Sequence, residues 1–163
     1  MRGSEKFSIV VQKRARALLL YGDGSLERTY AVALGRNWAA DKSIEGDEAT
    51  PLGEFYVCAK NPRSKYFLSL CISYPNGEDA DRGLAAGLIS AAEHAQIHEA
   101  LRLRRMPPQH TRLGGEIYIH GANPVPTGPA VKDWTRGCMA LDNIAMRELY
   151  GLVSVGTPVV IVA

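Results

Sequence analysis

The segment Tyr118–Leu141, YIHGANPVPTGPAVKDWTRGCMAL, decides how this chain is interpreted. An apolar strand pattern runs into the pair His120-Gly121, and a Gly- and Pro-rich segment then leads to Gly137-Cys138. A histidine that ends a strand and a cysteine that leaves a glycine turn are the residue types of a thiol nucleophile and its base. The segment therefore predicts acyl-transfer chemistry, provided that the two side chains meet in space.

The chemistry assigns a role to each residue of this pattern. A thiol attacks a carbonyl as the thiolate, and a nearby histidine or the donors of a glycine turn lower its pKa. The backbone N–H groups of Gly137 and Cys138 could stabilise the oxyanion that the attack creates, and Thr135 offers a hydroxyl beside them. The same spacing is also typical of an inert loop cysteine, and that alternative stays open at the level of residues alone.

Length and composition indicate a single domain with a substantial core. The chain has 163 residues, 46% hydrophobic and 22% charged, and its net charge of +2 gives no reason to expect a nucleic-acid partner. Three cysteines are an odd number, so a disulfide framework is not expected, and Cys58 and Cys71 are interpreted as buried apolar residues. Neither a transmembrane helix nor a signal peptide is expected, and residues 1–6 are expected to be a disordered start or a vector remnant.

Short apolar runs predict strands over most of the chain. Three of them come before residue 35, and Gly22-Asp23-Gly24-Ser25 predicts a hairpin between the second and the third. A strand is expected over Glu54–Lys60, broken at Asn61-Pro62. The other expected strands are Phe7–Val11, Arg16–Tyr21, Arg28–Leu34, Tyr66–Ser73, Glu116–His120 and Val159–Val162.

Two segments favour helices. Apolar residues at helical spacing predict at least one helix from about Ala85 to Arg105, stopped by Pro107-Pro108. A last helix is expected over Ile144–Val153, capped by Asp142 or Asn143. The predicted fold is mainly β (α+β), with a helical insertion and a C-terminal helix.

His94 and His98 lie four positions apart on the predicted insertion helix and could share a metal ion. The residues between them do not form the His-Glu-x-x-His pattern of zinc proteases. A solvated helix face is the favoured interpretation, so no metal site and no cofactor are expected.

Four matches in order along the chain resemble the L,D-transpeptidase catalytic domain family of the YkuD type. His120-Gly121 followed by Thr135-Arg136-Gly137-Cys138-Met139 is similar to the family's signature. Ala49–Phe55, Leu70–Asn76 and Gly156–Ile161 resemble a turn, a strand end and a closing strand of the same family. The likeness covers most of residues 7–162, which are expected to form one catalytic domain.

Details near the motif resemble one branch of that family. The lead-in Asp133-Trp134-Thr135 and Ala140 are similar to the YafK-like murein-transpeptidase branch. Many members have His where this chain has Arg136, and Arg where it has Ala140. This departure leaves the acceptor and the stem specificity open.

The resemblance implies a mixed β-sandwich and a set of roles. Cys138 would be the nucleophile and His120 the base, and the carbonyl of Gly121 would orient the imidazole. Arg136 could bind a substrate carboxylate or be a solvent-exposed salt-bridge partner. Trp134 and Tyr118 could line a substrate groove or simply pack, and Trp38 could cover a cleft.

The implied activity is acyl transfer on peptidoglycan stem peptides through a thioester, for cross-linking the cell wall or attaching a lipoprotein. Carbapenem-type inhibitors are expected to acylate Cys138. Two alternatives are a hydrolase of a stem-peptide or lipoprotein link, and a non-catalytic wall-binding module. The family implies the periplasm or the cell envelope of a bacterium, while the absence of a visible leader keeps a cytoplasmic protein as the alternative.

Overall fold

An eight-stranded mixed β-sheet is the framework of the chain in a computed structural model, which describes residues 6–122 and 132–163. The strands follow the order β3-β2-β1-β8-β4-β5-β6-β7 across the sheet. Their bounds are β1 Phe7–Gln12, β2 Ala17–Gly22, β3 Ser25–Ala31, β4 Gly53–Ser64, β5 Phe67–Ile72, β6 Tyr118–Ala122, β7 Met139–Asp142 and β8 Pro158–Val162.

The long strand β4 joins the two halves of the sheet. Its first residues pair with β8, and its later residues pair with β5. The pairs β1–β8 and β6–β7 are parallel, and the other neighbouring strands are antiparallel. An isolated bridge between Ala33 and Ala140 brings the region after β3 to the edge strand β7, so the sheet curves almost into a barrel. The predicted mainly β, mixed fold is confirmed.

The hairpin between β2 and β3 forms at the expected place. Asp23 and Gly24 both adopt positive φ angles, of 49° and 80°, which are the angles of a type I′ turn. An Asp-Gly pair tolerates these angles better than most residue pairs, and for this reason the turn could be predicted. On β1 and β2, residues such as Ile9, Val11 and Leu18 are fully buried in the core.

The strand β4 is longer than predicted. Asn61-Pro62 does not end it, and the strand continues to Ser64 before β5 begins at Phe67. The register of the β4–β5 pairing shifts between Asn61 and Ser64. A proline has no N–H for the ladder and is tolerated where the pairing is irregular, so the hairpin extends through it.

The helical insertion consists of two helices, where the sequence predicts at least one helix from about Ala85 to Arg105. They are α1 (Gly77–Ala85) and α2 (Ala91–Arg102). Between them Gly87 has a positive φ of 71°, and Ser90 caps the second helix with a capping box to Glu93. The helix predicted from apolar spacing corresponds to α2, whereas α1 lies before the predicted range and was missed. The left-handed glycine and the capping residue separate the two helices.

The C-terminal helix α3 spans Asn143–Leu152, close to its predicted bounds. The Asp142 side chain accepts a hydrogen bond from the Ala145 N–H at 2.8 Å, so Asp142 is the cap. Among the described residues, no helix has the length and apolar character needed to cross a membrane. Of the segment 1–6, only Lys6 is described.

Candidate active site

Neighbouring parallel strands carry the two chemistry-bearing residues of the motif. His120 lies in β6, and Cys138 immediately precedes β7. The Tyr118 N–H donates to the Cys138 sulfur at 3.4 Å, which places the thiol beside the start of β6. The side chains of Tyr118 and His120 lie on the same face of β6, because side chains two residues apart in a strand point the same way. His120 and Cys138 both line an open cavity of about 860 Å³.

The His120 ring is held in one orientation. Its Nδ1 lies 2.8 Å from the Gly121 carbonyl oxygen, and the imidazole is buried. A carbonyl oxygen only accepts, so Nδ1 carries the proton and Nε2 keeps its lone pair. Burial lowers the pKa of His120, and the bond to Gly121 opposes this in part. The imidazole is therefore neutral at pH 7 and able to accept a proton at Nε2.

The Cys138 thiol is protonated in this resting structure. Its sulfur donates to the Glu116 carbonyl at 3.4 Å, and no bond between Cys138 and His120 is found among the described residues. Burial raises the pKa of Cys138 to about 11, a change that Glu116 reinforces and that the Tyr118 N–H and Lys42 oppose. The sequence suggested a lowered thiol pKa, but the surroundings of the sulfur have the opposite effect before substrate binds.

Alkylation of Cys138 should show this raised pKa. In the Cys58→Ser variant, which lacks the half-buried Cys58 thiol, we expect the rate of reaction with iodoacetamide to rise about tenfold per pH unit from pH 7 to pH 10, because only the thiolate reacts. Stopped samples analysed by peptide mass spectrometry measure the rate at Cys138. A plateau at or below pH 8.5 would show that the resting thiol is already activated.

The turn before Cys138 is tied together by Thr135. The Thr135 hydroxyl donates to the Cys138 carbonyl at 2.6 Å and accepts from the Gly137 N–H at 3.1 Å. Thr135 is 4% exposed and its hydroxyl shapes the turn, while the residue also lines the cavity. The resemblance implies that Thr135 binds substrate, and this role stays a prediction. The Gly137 N–H, expected to face an oxyanion, points to Thr135 here, which leaves the Cys138 N–H as the remaining candidate of that pair.

Thr50 holds the same turn from the other side, a role that the sequence did not reveal. The fully buried Thr50 hydroxyl accepts from the Gly35 N–H at 3.0 Å and donates to the Gly137 carbonyl at 2.9 Å. The buried Lys13 ammonium donates to the Thr50 carbonyl at 2.5 Å, and burial lowers its pKa to about 8. The sequence indicated the Thr50-Pro51 segment only as part of a turn, and the structure shows that it supports the cysteine turn.

A salt bridge fixes the residue that leads into the motif. Arg16 contacts both carboxylate oxygens of Asp133, the shortest distance being 2.7 Å, and Asp133 also accepts from the Leu34 N–H. The Arg16 guanidinium stacks on the Trp38 ring with a separation of 3.9 Å. Trp38 therefore packs on this salt bridge and does not cover the cavity.

The proposed substrate-binding residues Arg136, Trp134 and Tyr118 all line the cavity. Arg136 is exposed and makes no ion pair with any residue in the described ranges 6–122 and 132–163, so it can meet an anion. Trp134 is 37% exposed and meets the His120 ring edge-on at 5.8 Å. The cavity thus offers the exposed guanidinium of Arg136 beside the ring of Trp134.

Tyr66, at the tip of the β4–β5 hairpin, was missed by sequence reasoning. Its ring stacks on His120 with centroids 4.4 Å apart and an interplanar angle of 21°. The hairpin reaches the site because β4 continues through Pro62. An aromatic residue in a predicted loop is a weak signal, and only the longer strand explains its position over the base.

The described residues contain one group of three side chains that could hold a metal ion, and it does not line this cavity. The cavity combines a protonated thiol, a neutral imidazole of defined tautomer and an unpaired guanidinium. These groups can perform nucleophilic acyl transfer without a metal ligand set of their own.

Comparison with protein families gives one match. Residues 6–161 match the model described as the L,D-transpeptidase catalytic domain, YkuD. No curated protein sequence is similar enough to count as a match.

Solved structures share the fold. The helical cell shape determining protein Pgp2 from Campylobacter jejuni aligns with a TM-score of 0.63 and 23% identity, over 97% of this chain and 48% of that one. An L,D-transpeptidase from Mycobacterium smegmatis aligns with a TM-score of 0.57 and 16% identity, over 98% and 60%. LdtMt1 in complex with imipenem aligns with a TM-score of 0.57 and 15% identity, over 98% of this chain and 60% of that one. The chain spans about half to two thirds of the length of these proteins.

Proposed function

Since the chain belongs to the YkuD family of L,D-transpeptidase catalytic domains, we propose that it is a cysteine-dependent L,D-transpeptidase acting on peptidoglycan stem peptides. The observation that carries the proposal is the shared cavity, which Cys138 and His120 both line. The YafK-like branch is proposed on Asp133-Trp134-Thr135 and Ala140. A role in cell wall organisation and cell shape, in the cell envelope of a bacterium, follows from this assignment.

The first half-reaction forms a thioester. Substrate binding displaces the thiol from the Glu116 carbonyl, and His120 Nε2 takes its proton. The sulfur attacks the carbonyl carbon at the L-centre of the diamino acid in the stem, and the Cys138 N–H stabilises the oxyanion. The C–N bond to the terminal D-alanine breaks, and the leaving amine receives the proton from the imidazolium.

The second half-reaction transfers the acyl group. An amine of a second stem, or a lysine of an envelope lipoprotein, attacks the thioester carbon and gives its proton to His120. The C–S bond breaks, and the departing sulfur takes the proton from the imidazolium, which restores the thiol and the neutral imidazole. Arg136 binds a substrate carboxylate, for which its free guanidinium is suited. Tyr66 and Trp134 enclose the imidazole on two sides.

Transfer and hydrolysis differ in the second half-reaction alone. We expect purified tetrapeptide muropeptides and a D-amino acid acceptor to give an exchanged stem, detected by liquid chromatography and mass spectrometry. Stems that are only shortened, at equal rates with and without acceptor, would establish the hydrolase alternative.

A non-catalytic wall-binding module is the second candidate, because the thiol is protonated and bonded to Glu116 in the resting structure. Sacculus binding with neither exchange nor shortening of stems would favour it. Carbapenem-type inhibitors provide an independent probe, since LdtMt1 is described in complex with imipenem and Cys138 is the corresponding candidate here.

A further inference from the structure

Three side chains outside the cavity bring their donor atoms together between the helices of the insertion. Asp81 lies on α1, and His94 and His98 lie one turn apart on α2. One carboxylate oxygen of Asp81 is 2.7 Å from His94 Nε2 and 2.9 Å from His98 Nε2. We propose that Asp81, His94 and His98 form a binding site for one divalent transition-metal ion, with Zn²⁺ as the ion that fits best.

The spacing of the donor atoms fits a tetrahedral ion. All three lie within 4.8 Å of one another. Zinc binds nitrogen and carboxylate oxygen at about 2.0–2.2 Å, so tetrahedral ligands are about 3.4 Å apart. The two Asp81–histidine distances need to grow by about 0.5 to 0.7 Å, which small side-chain rotations supply. Without metal, each Nε2 donates its proton to the Asp81 carboxylate. An ion that binds there replaces these protons, and each imidazole then carries its proton on Nδ1 and coordinates through the Nε2 lone pair.

The backbone holds the three residues in this arrangement. Positions four apart on a helix share one face, so both imidazoles of α2 point towards α1. A side chain at Gly77 would have its Cβ 3.1 Å from the His98 ring, so the glycine leaves room for the imidazole against α1. Capping boxes at Asn76 and Ser90 fix where each helix begins.

The donor set selects the class of ion. Two imidazoles and one carboxylate suit Zn²⁺, Ni²⁺ or Cu²⁺, whereas Mg²⁺ and Ca²⁺ prefer sites made of oxygen alone. His98 and Asp81 are partly exposed, so water can complete the coordination. The expected species is a four-coordinate ion with three protein ligands and one water.

Such an ion would stabilise the insertion. The insertion has its own small core, in which the buried residues are Ala80, Ile89, Ile97 and Leu113. A bond from α1 to α2 through the metal adds free energy of folding to a unit with little apolar area of its own. The proposal is independent of the transpeptidase assignment, because none of the three ligands lines the cavity.

The test is titration of the chelator-treated full chain with ZnCl₂ at pH 7.5, followed by isothermal calorimetry and thermal unfolding. We expect one ion per chain and a melting temperature that rises with zinc. Asp81→Asn, His94→Gln and His98→Gln should each weaken affinity by more than about tenfold, since even loss of an outer-shell partner of a ligand has such an effect.

Matched controls separate this site from others. His110→Gln removes a histidine outside the cluster, and Cys138→Ala removes the thiol beside His120; both should bind zinc as the wild type does. Each variant is also melted in chelator, so that any loss of the Asp81–histidine hydrogen bonds is measured without metal. Only the zinc-dependent shift should vanish in the cluster variants.

Two results would overturn the proposal. Absence of binding heat and of a melting shift at 1 mM zinc would mean that the cluster is a hydrogen-bonded link between the helices. Binding that survives in all three cluster variants and disappears in Cys138→Ala would place the metal at the thiol. Neither result would affect the transpeptidase assignment.

Discussion

Replacing Cys138 with alanine is expected to abolish stem-peptide exchange while the protein keeps its fold. Cys138 carries the only thiol among the described residues that line the cavity, and no hydroxyl or amine can replace it in forming a thioester. We expect a loss of roughly 10⁴-fold or more, as is found when a catalytic nucleophile is removed. The D-amino acid exchange assay measures it.

The fold should tolerate this change, because the lost sulfur makes only two long hydrogen bonds. A melting temperature within about 4 °C of wild type corresponds to a loss near 1 kcal/mol. Cys58→Ser is the matched control: it removes another half-buried thiol, on β4, and should retain exchange. Exchange that persists in Cys138→Ala would exclude Cys138 as the nucleophile.

Gly137→Ala is expected to lower both stability and activity. Gly137 has a φ of 131°, which residues with a Cβ rarely adopt, and a Cβ there would lie 2.7 Å from the Ala49 carbonyl oxygen. Both the strained backbone and the contact with main-chain atoms oppose the substitution, so we expect a loss of roughly 3 kcal/mol. Urea unfolding measures this loss, and a melting temperature lower by about 6–12 °C should accompany it.

The same substitution should displace Cys138, since the turn from Thr135 to Cys138 depends on bonds to Gly137. Gly151→Ala is the matched control, because a Cβ at this helical glycine meets nothing within 4 Å. Alanine there should stabilise α3 by about 0.5–1 kcal/mol and leave exchange unchanged. Equal stability of Gly137→Ala and wild type would contradict the account of the turn.

Turn and capping preferences were sufficient to predict a structural feature where it depends on a few neighbouring residues. The Asp23-Gly24 hairpin and the Asp142 cap could both be predicted, because each depends on a few neighbouring positions. The helical insertion was predicted only in part: the apolar spacing that indicated a helix begins at Leu88 and marks α2, whereas α1 lies before it. Strand β7 was missed because four residues are too few for a pattern.

The sequence predicted which residues form the site, but it did not predict the contacts that those residues make. The motif indicated Cys138 and His120, but the bond from the Cys138 thiol to Glu116 depends on a chain segment more than twenty residues earlier. Thr50 and Tyr66 contribute through pairings that no local pattern encodes. The approach of Asp81 to His94 and His98 likewise requires the turn between two helices.

The most direct test of the central claim is the mass of the protein after incubation with imipenem. We expect one covalent adduct per chain, mapped by peptide digestion to Cys138, and no adduct on the Cys138→Ala variant. An unmodified wild-type protein, or an adduct at Cys58, Cys71 or any residue other than Cys138, would contradict the claim that this thiol is the acylated nucleophile.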